Sequence, residues 1–373
     1  VDAGEDAGKQ ADMYFTMLYP TKKGAMTLMA DAFAVNDHVD FDFSWNVARD
    51  RTFKGDVRLS ASFGRDDENR QTTRVNVNPS ELVFNDTVWN VNSASIDISD
   101  NRAKVNGFRV GRQNQYISIN GQVSSTPDDS LTLVLKDVNL DYIFETLDIG
   151  TAMFGGIATG TFYASSLFSP APCLYTPSLD VQNLSYNKSL MGNASIKSEW
   201  LPDEKAVTIN ALIDQPNGCK SKILGAIFPM ADSLDFHFDA DKIEIGFMKP
   251  FMEAFTSDVS GFASGKARLW GTFKLIDMVG DIYAQDVKLK LDFTNTYYTA
   301  TDSVRLTPGR IDLDNITLRD VNGNTALLNG WITHKCFKQP RFNFAITNAR
   351  NMLVYDVREN PESIWYGTIY GNG

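Results

Sequence analysis

The sequence predicts an all-β fold with short helices, in which the strands form one elongated, curved antiparallel sheet built from repeats of about 105 residues. Two observations lead to this prediction: apolar and polar residues alternate along most of the chain, and glycines and phenylalanines recur at a fixed interval. The composition, with 43% hydrophobic and 22% charged residues, is that of a folded globular protein.

Apolar residues alternate with polar ones in the segments 39–45, 131–135, 234–238, 287–293 and 342–346. This period of two places every apolar side chain of a strand on one face of the sheet. Each strand is therefore predicted to have one apolar face and one solvated face. Asn-Gly pairs at 106–107, 217–218 and 322–323 lie between candidate strands and predict tight hairpins.

Two segments have helical spacing instead. In residues 140–147 the apolar positions follow an i, i+3, i+4, i+7 pattern. In residues 247–255 three phenylalanines fit one helical face, and Pro250 suits a first turn. We therefore predict two short amphipathic helices or coil wedges that interrupt the series of strands.

The repeat rests on four sets of residues that recur every 105 residues, with one interval of 104 between Gly121 and Gly225. A single coincidence of spacing would mean little, but four sets make chance improbable. Glycine inside a strand usually marks a bulge or bend, so the sheet is predicted to bend once in each repeat. The four sets are Gly55, Gly160 and Gly265; Phe63, Phe168 and Phe273; Gly156 and Gly261; and Gly121, Gly225 and Gly330.

The period divides the chain into five segments. Residues 1–52 are predicted to be the end of a preceding repeat, and residues 53–157, 158–262 and 263–367 to be three complete repeats. Residues 368–373 then begin a further one, so the chain is expected to be a piece of a longer protein.

Each repeat could instead be a separate immunoglobulin-like sandwich, since about 100 residues is the size of that domain. The repeat boundaries, however, carry helical segments rather than linkers, and the paired cysteines with an intervening tryptophan are missing. A continuous sheet is therefore favoured.

Charge and composition exclude several functions. The net charge of -11 disfavours binding to nucleic acid or polybasic docking to anionic lipid. Three histidines form no metal-ligand pattern, and no cofactor is predicted. Whether Cys173 and Cys219 form a disulfide is left open, and no apolar run is long enough for a membrane-spanning helix.

Catalysis is not predicted. The sequence contains no GxSxG, HExxH or CxxC pattern. The acidic run of residues 66–68 lies in the polar stretch GRDDENRQTTR, which is typical of a solvated hairpin loop.

Short motifs in the third repeat resemble the TamB (translocation and assembly module) family in its Bacteroidetes form, within the AsmA-like group. The resemblance is best over residues 263–373, is weaker in the two upstream repeats, and rests on structural rather than catalytic motifs. The family's inner-membrane anchor helix and its terminal segment are not in this piece. The motifs are GTF at 271–273, GD at 280–281, NTYYT at 295–299, DVNGNTALLNGWITH at 320–334 and YGTIYGNG at 366–373.

The resemblance implies a U-shaped, β-taco-like trough with an apolar inside, in the periplasm of a Gram-negative bacterium. It implies a non-enzymatic protein, anchored in the inner membrane at full length, that carries phospholipid between the two membranes or supports outer-membrane protein assembly. The implied partners are phospholipid acyl chains and a TamA-like or BAM-type barrel. The candidate groove residues are Leu131, Leu133, Leu135, Leu234, Phe236, Phe238, Val287, Leu289, Leu291, Phe342, Phe344 and Ile346.

Two other interpretations stay open at this point. The same apolar residues could form a closed core packed against an opposing sheet. Alternatively, the chain could be an extracellular adhesin or glycan-binding array of sandwiches, which would need exposed aromatic platforms. The six tryptophans do not share one position in the repeat, which argues against the array.

Overall fold

Strands make up most of the chain in a computed structural model of the protein. Among the described residues, 23 strands belong to one sheet and two form a separate small sheet. This confirms the predicted all-β, continuous antiparallel fold, and the strands do not form separate sandwiches. The structure describes residues 10–21, 24–47, 53–84, 86–147, 153–253, 255–358 and 365–373.

The chain forms two compact units. The N-terminal unit comprises residues 1–149 and 157–180, and the C-terminal unit comprises residues 150–156 and 181–373. The predicted division into repeats stays a prediction.

The N-terminal unit contains eleven strands and a helix among its described residues, and β12 and β13 each have residues in both units. The elements are β1 (Gln10–Thr21), β2 (Gly24–Val35), β3 (His38–Val47), β4 (Phe53–Arg65), β5 (Gln71–Val77), β6 (Ser80–Phe84), β7 (Thr87–Val91), β8 (Ala94–Ser99), β9 (Arg102–Arg112), β10 (Gln115–Val123), β11 (Ser130–Asn139), α1 (Leu140–Leu147), β12 (Phe154–Ser165) and β13 (Cys173–Tyr186).

Most strands of this unit pair with their neighbours in the chain, from β1 to β4 and from β9 to β12. Between β4 and β9 the pattern changes. One half of β4 pairs with β5 and the other half with β6, while β9 pairs with both β8 and β7. Two short strand pairs, β5–β8 and β6–β7, therefore lie end to end between two long strands.

The described part of the C-terminal unit is a meander from β14 to β23, followed by the small two-stranded sheet. Its elements are β14 (Ser189–Leu201), β15 (Ala206–Asp214), β16 (Lys220–Phe228), a 3₁₀ turn (Pro229–Ala231), β17 (Ser233–Glu244), a second 3₁₀ turn (Gly246–Met248), α2 (Lys249–Met252), β18 (Val259–Thr272), β19 (Leu275–Leu291), β20 (Thr296–Thr307), β21 (Arg310–Asp320), β22 (Thr325–Lys335), β23 (Lys338–Thr347), β24 (Met352–Val357) and β25 (Gly367–Gly371).

The predicted helices are confirmed, and α1 covers the predicted span. The second helix is shorter than the predicted span of 247–255. A 3₁₀ turn leads into the four-residue α2, and Phe255 lies beyond the end of α2. Two of the three predicted Asn-Gly hairpins are confirmed, at 217–218 and 322–323. The third prediction is wrong, since Asn106-Gly107 forms a bulge inside β9.

Five bulges of the sheet share one hydrogen-bond pattern. In each, a residue with left-handed backbone donates its N–H to a side-chain oxygen on the next strand, which satisfies a group that the ladder leaves unpaired. The pairs are Gly107 with Asn120 (2.6 Å), Asp137 with Thr159 (3.0 Å), Lys242 with Ser264 (2.8 Å), Asp286 with Thr301 (2.9 Å) and Asn315 with Asn329 (2.8 Å).

Repeat glycines follow four of the five accepting side chains: Gly121, Gly160, Gly265 and Gly330. A Cβ atom at any of them would collide with a carbonyl oxygen of the neighbouring strand. Only glycine therefore lets the strands approach closely beside a bulge. These four repeat glycines are therefore positions of close strand approach beside bulges, and the predicted bend in each repeat stays a prediction.

Candidate functional site

The candidate site is the apolar face of the sheet. Residues directly opposite each other on paired strands point to the same face. In the C-terminal unit Phe236 on β17 lies opposite Leu269 on β18, and Leu269 lies opposite Met278 on β19. The apolar residues of these three strands therefore form one surface, which we call the apolar face.

This surface continues to β23 within the C-terminal unit. Pairing carries it from Leu306 on β20 through Ile311 and Ile332 to Phe342. At the bulge of β19, Ala284 and Val287 lie opposite residues 302 and 300, which share one face of β20. Ala284 and Val287 therefore both lie on the apolar face, although they are three rather than two positions apart in the chain. The predicted groove residues on the apolar face here are Leu234, Phe236, Phe238, Val287, Leu289, Leu291, Phe342, Phe344 and Ile346.

The N-terminal unit has an apolar face of its own, which carries the other three predicted residues. Leu133 and Leu135 on β11 lie opposite Ile119 and Ile117 on β10. Leu131 lies opposite Gly121. The structure thus places all twelve predicted residues on the apolar face of the unit to which they belong.

The opposite face of the C-terminal unit carries charge. Arg268 donates two hydrogen bonds to Asp235, at 2.9 and 2.6 Å, and Arg305 lies 3.1 Å from Asp281. The guanidinium of Arg268 also lies over the ring of Trp270. The hydrogen bonds from Arg268 lower the pKa of the Asp235 carboxyl against an opposing contribution from burial. This face is polar and stays wetted, as the alternation predicts.

The apolar face of the C-terminal unit is concave. The amide of Asp292, at the end of β19, donates to the carbonyl of Phe255 at 3.1 Å. The Phe255 ring nevertheless lies edge-on to Phe342 on β23, with 5.6 Å between the ring centroids. Four strand spacings separate β19 from β23, which is about 19 Å in a flat sheet. Two phenylalanine side chains cannot span that distance, so the sheet curls toward its apolar side.

The predicted residues differ in exposure. Phe342, Phe344 and Ile346 are 46%, 46% and 55% exposed, whereas Leu135 is 8% exposed. The other eight are half-buried. The apolar face of the C-terminal unit is therefore open along β23, and that of the N-terminal unit is closed around Leu135.

The apolar face of the N-terminal unit has a closed part. Val77, Leu82, Trp89 and Val91 form a buried cluster, and Tyr142 of α1 packs against it. The predicted helix thus covers the apolar face rather than only the sheet edge. This part of the face is a closed core, formed by residues other than the twelve predicted ones.

Several residues of the apolar face were missed by the sequence prediction. On β21 the alternation is interrupted by the bulge at Asn315, which shifts it by one residue. The apolar residues before the bulge are Ile311 and Leu313, and those after it are Ile316 and Leu318. A search for alternation that allows a one-residue shift at Asn or Asp would have found them. Met13, Phe15 and Met17 on β1 also belong to the apolar face of their unit and are exposed.

The small sheet is fixed to the C-terminal unit by a buried carboxylate. Asp320 is 5% exposed and accepts the amide of Leu353 on β24 at 2.8 Å. It also accepts the amides of Asn322 and Asn324 and the side-chain amide of Asn324. Burial raises the pKa of Asp320, but these four hydrogen bonds outweigh burial and the net pKa lies below its usual value.

We expect Asp320→Asn to loosen β24 from this turn. An asparagine can keep only one accepting oxygen, so the Leu353 amide loses its partner, at a cost of about 1–3 kcal/mol. The measurement is amide hydrogen exchange at Leu353, with Asp314→Asn on the exposed surface of β21 as the control. Because the folded pKa is depressed, the same loss is expected in the unaltered protein as pH falls below about 4. Equal exchange in both variants would contradict this role.

The described residues hold no other site with clear chemistry. The three cysteines are free, so Cys173 and Cys219 are not joined. No cluster of three or more His, Cys, Asp or Glu residues suited to a metal occurs in the described ranges. None of the described helices has both the length and the apolar character to cross a membrane.

Comparison of the chain with protein-family models, with curated proteins and with solved structures gives no match. The fold and the apolar face therefore carry the functional argument.

Proposed function

We propose that the apolar face binds phospholipid acyl chains and that the protein is a non-enzymatic bridge carrying phospholipid between the inner and outer membranes. The observation that carries this proposal is the open, concave part of the apolar face at β23, where Phe342, Phe344 and Ile346 are exposed. A soluble chain rarely leaves such adjacent apolar side chains uncovered without a ligand.

The chemistry of the face suits an acyl chain. Each methylene that leaves water for an apolar surface contributes about 0.8 kcal/mol, without any directional bond. Movement along such a surface needs no catalytic group. The charged opposite face keeps the sheet soluble while the apolar face is occupied.

The resemblance to the TamB family is the basis for the cellular location and the partner in this proposal. It supports a periplasmic location. It also supports a role in outer-membrane protein assembly, with a TamA-like or BAM-type barrel as the partner protein. No sandwich array is needed, because the exposed aromatics Phe342 and Phe344 belong to a sheet that is continuous with its neighbours.

The test is extraction of the purified chain with organic solvent, followed by mass spectrometry of the extract. We expect co-purified phospholipid, and renewed uptake when the stripped protein is mixed with phospholipid vesicles. Clean extracts from several preparations, together with no uptake from vesicles, would overturn the proposal.

A further inference from the structure

The strand after each connector has a fixed place in the first two repeats. In the N-terminal unit β12 pairs with β11, with Leu135 opposite Gly160. In the C-terminal unit β18 pairs with β17, with Ala240 opposite Gly265. Both members of the second pair lie 105 residues after those of the first. The two repeats therefore use the same register.

Residues with positive φ recur in the third repeat, 106 residues after their equivalents in the second. Asn348 has φ of 54°, against 48° for Lys242 at the bulge of β17. Gly367 has φ of 127°, against 119° for Gly261 at the start of β18. By these markers β25 is the equivalent of β12 and β18.

The pairing of β25 nevertheless differs. It pairs with β24, which occupies the place of the helical connectors, and Ala349 exchanges hydrogen bonds with Gly373. In the register of the first two repeats Ala349 would lie opposite Ile369, since Ile243 lies opposite Ala263. The observed hairpin is therefore slipped by four residues.

The edge of β23 is left open by this slip. Among the described strands, β23 pairs with β22 alone. Ile346 is 55% exposed, whereas Leu135, its equivalent in the first repeat, is 8% exposed beside β12. An open edge with exposed apolar residues is a template for another strand.

We propose that this edge is the docking site of the chain's own segment 367–373, which exchanges between the observed hairpin and a position beside β23. The docked register puts Gly371 opposite Ile346 and Thr368 opposite Arg350. Gly371 then occupies the position of Gly160 and Gly265, which lie opposite Leu135 and Ala240 in the first two repeats. This inference does not depend on lipid binding.

Cysteine pairs distinguish the two pairings in the full chain, with the native cysteines replaced by Ala or Ser. Thr368 lies opposite Asp356 in the hairpin and would lie opposite Arg350 when docked. Directly opposed residues are close enough for a disulfide. We expect most of the R350C/T368C chain to become cross-linked on mild oxidation, with D356C/T368C as the control for the hairpin.

Absence of the 350–368 disulfide would overturn the proposal, whichever result the control pair gives. Amide hydrogen exchange on the unaltered chain gives a second readout that needs no variant. Docking is expected to slow hydrogen exchange about tenfold at those amides of residues 344–347 that point away from β22. Exchange there at the rate of an unpaired edge would also contradict docking.

Discussion

Trp89→Ala is expected to lower the free energy of unfolding of the N-terminal unit by about 3–5 kcal/mol. Trp89 is 3% exposed, lies in the cluster of Val77, Leu82 and Val91, and meets the ring of Phe84 edge-on at 6.2 Å. Removing the indole leaves a cavity that the surrounding strands cannot fill. Denaturant unfolding followed by circular dichroism, with amide exchange in β6 and β7, measures the loss.

Two neighbouring variants make this prediction specific. Val88→Ala, at a 44% exposed position on the opposite face of β7, is expected to change stability by about 0.5 kcal/mol or less. Trp89→Phe should cost less than alanine, because the phenyl ring leaves a smaller cavity. Both variants also remove the buried indole Nε1 donor, which has no hydrogen-bond partner in the described structure. If alanine at 89 cost no more than alanine at 88, the cluster would not be a closed core.

The apolar face could be predicted from the sequence because alternation fixes the side of a strand on which a residue lies. Leu131, Phe236, Leu289 and Phe344 all lie on the apolar face of their units for this reason. The prediction depends only on local geometry, so it does not need the partner strand. Most long strands pair with their chain neighbours, which extends the local pattern across each unit.

Bulges limit how far that local pattern can be followed. Asn-Gly favours left-handed backbone, and such a conformation occurs both in hairpins and in bulges. At 217–218 the pair lies between two strands, but at 106–107 the chain continues, because Asn120 on the next strand accepts the Gly107 amide at 2.6 Å. The choice between turn and bulge therefore depends on a partner strand that the local sequence does not identify.

Exposure of the apolar face was not predictable in the same way. Leu135 and Ile346 occupy equivalent positions in similar alternating strands, yet one is buried and the other exposed. The difference comes from what lies beside or above each strand, namely β12 in one case and no described strand in the other. Whether a part of the apolar face is open or closed is thus decided by non-local contacts, and both kinds occur among the described residues.

Phe344→Asp is expected to weaken acyl-chain binding at the open part of the apolar face by about tenfold. Burying a half-exposed phenylalanine against a ligand contributes about 1.5 kcal/mol, which corresponds to this factor in affinity. A carboxylate at the same position also opposes an apolar chain, because it would lose its water. Titration with a lysophospholipid below its micelle concentration, on the delipidated chain, measures the change.

The matched control is Asn343→Asp, which adds the same charge one residue away. Asn343 lies opposite Trp331 on the charged face, so its variant should bind the lysophospholipid as the unaltered chain does. Phe344 is 46% exposed, and both variants are therefore expected to fold, with the same circular dichroism spectrum. If the two variants weakened binding equally, net charge rather than the apolar face would control the interaction. If neither did while the unaltered chain bound lipid, the acyl chain would lie elsewhere than along β23.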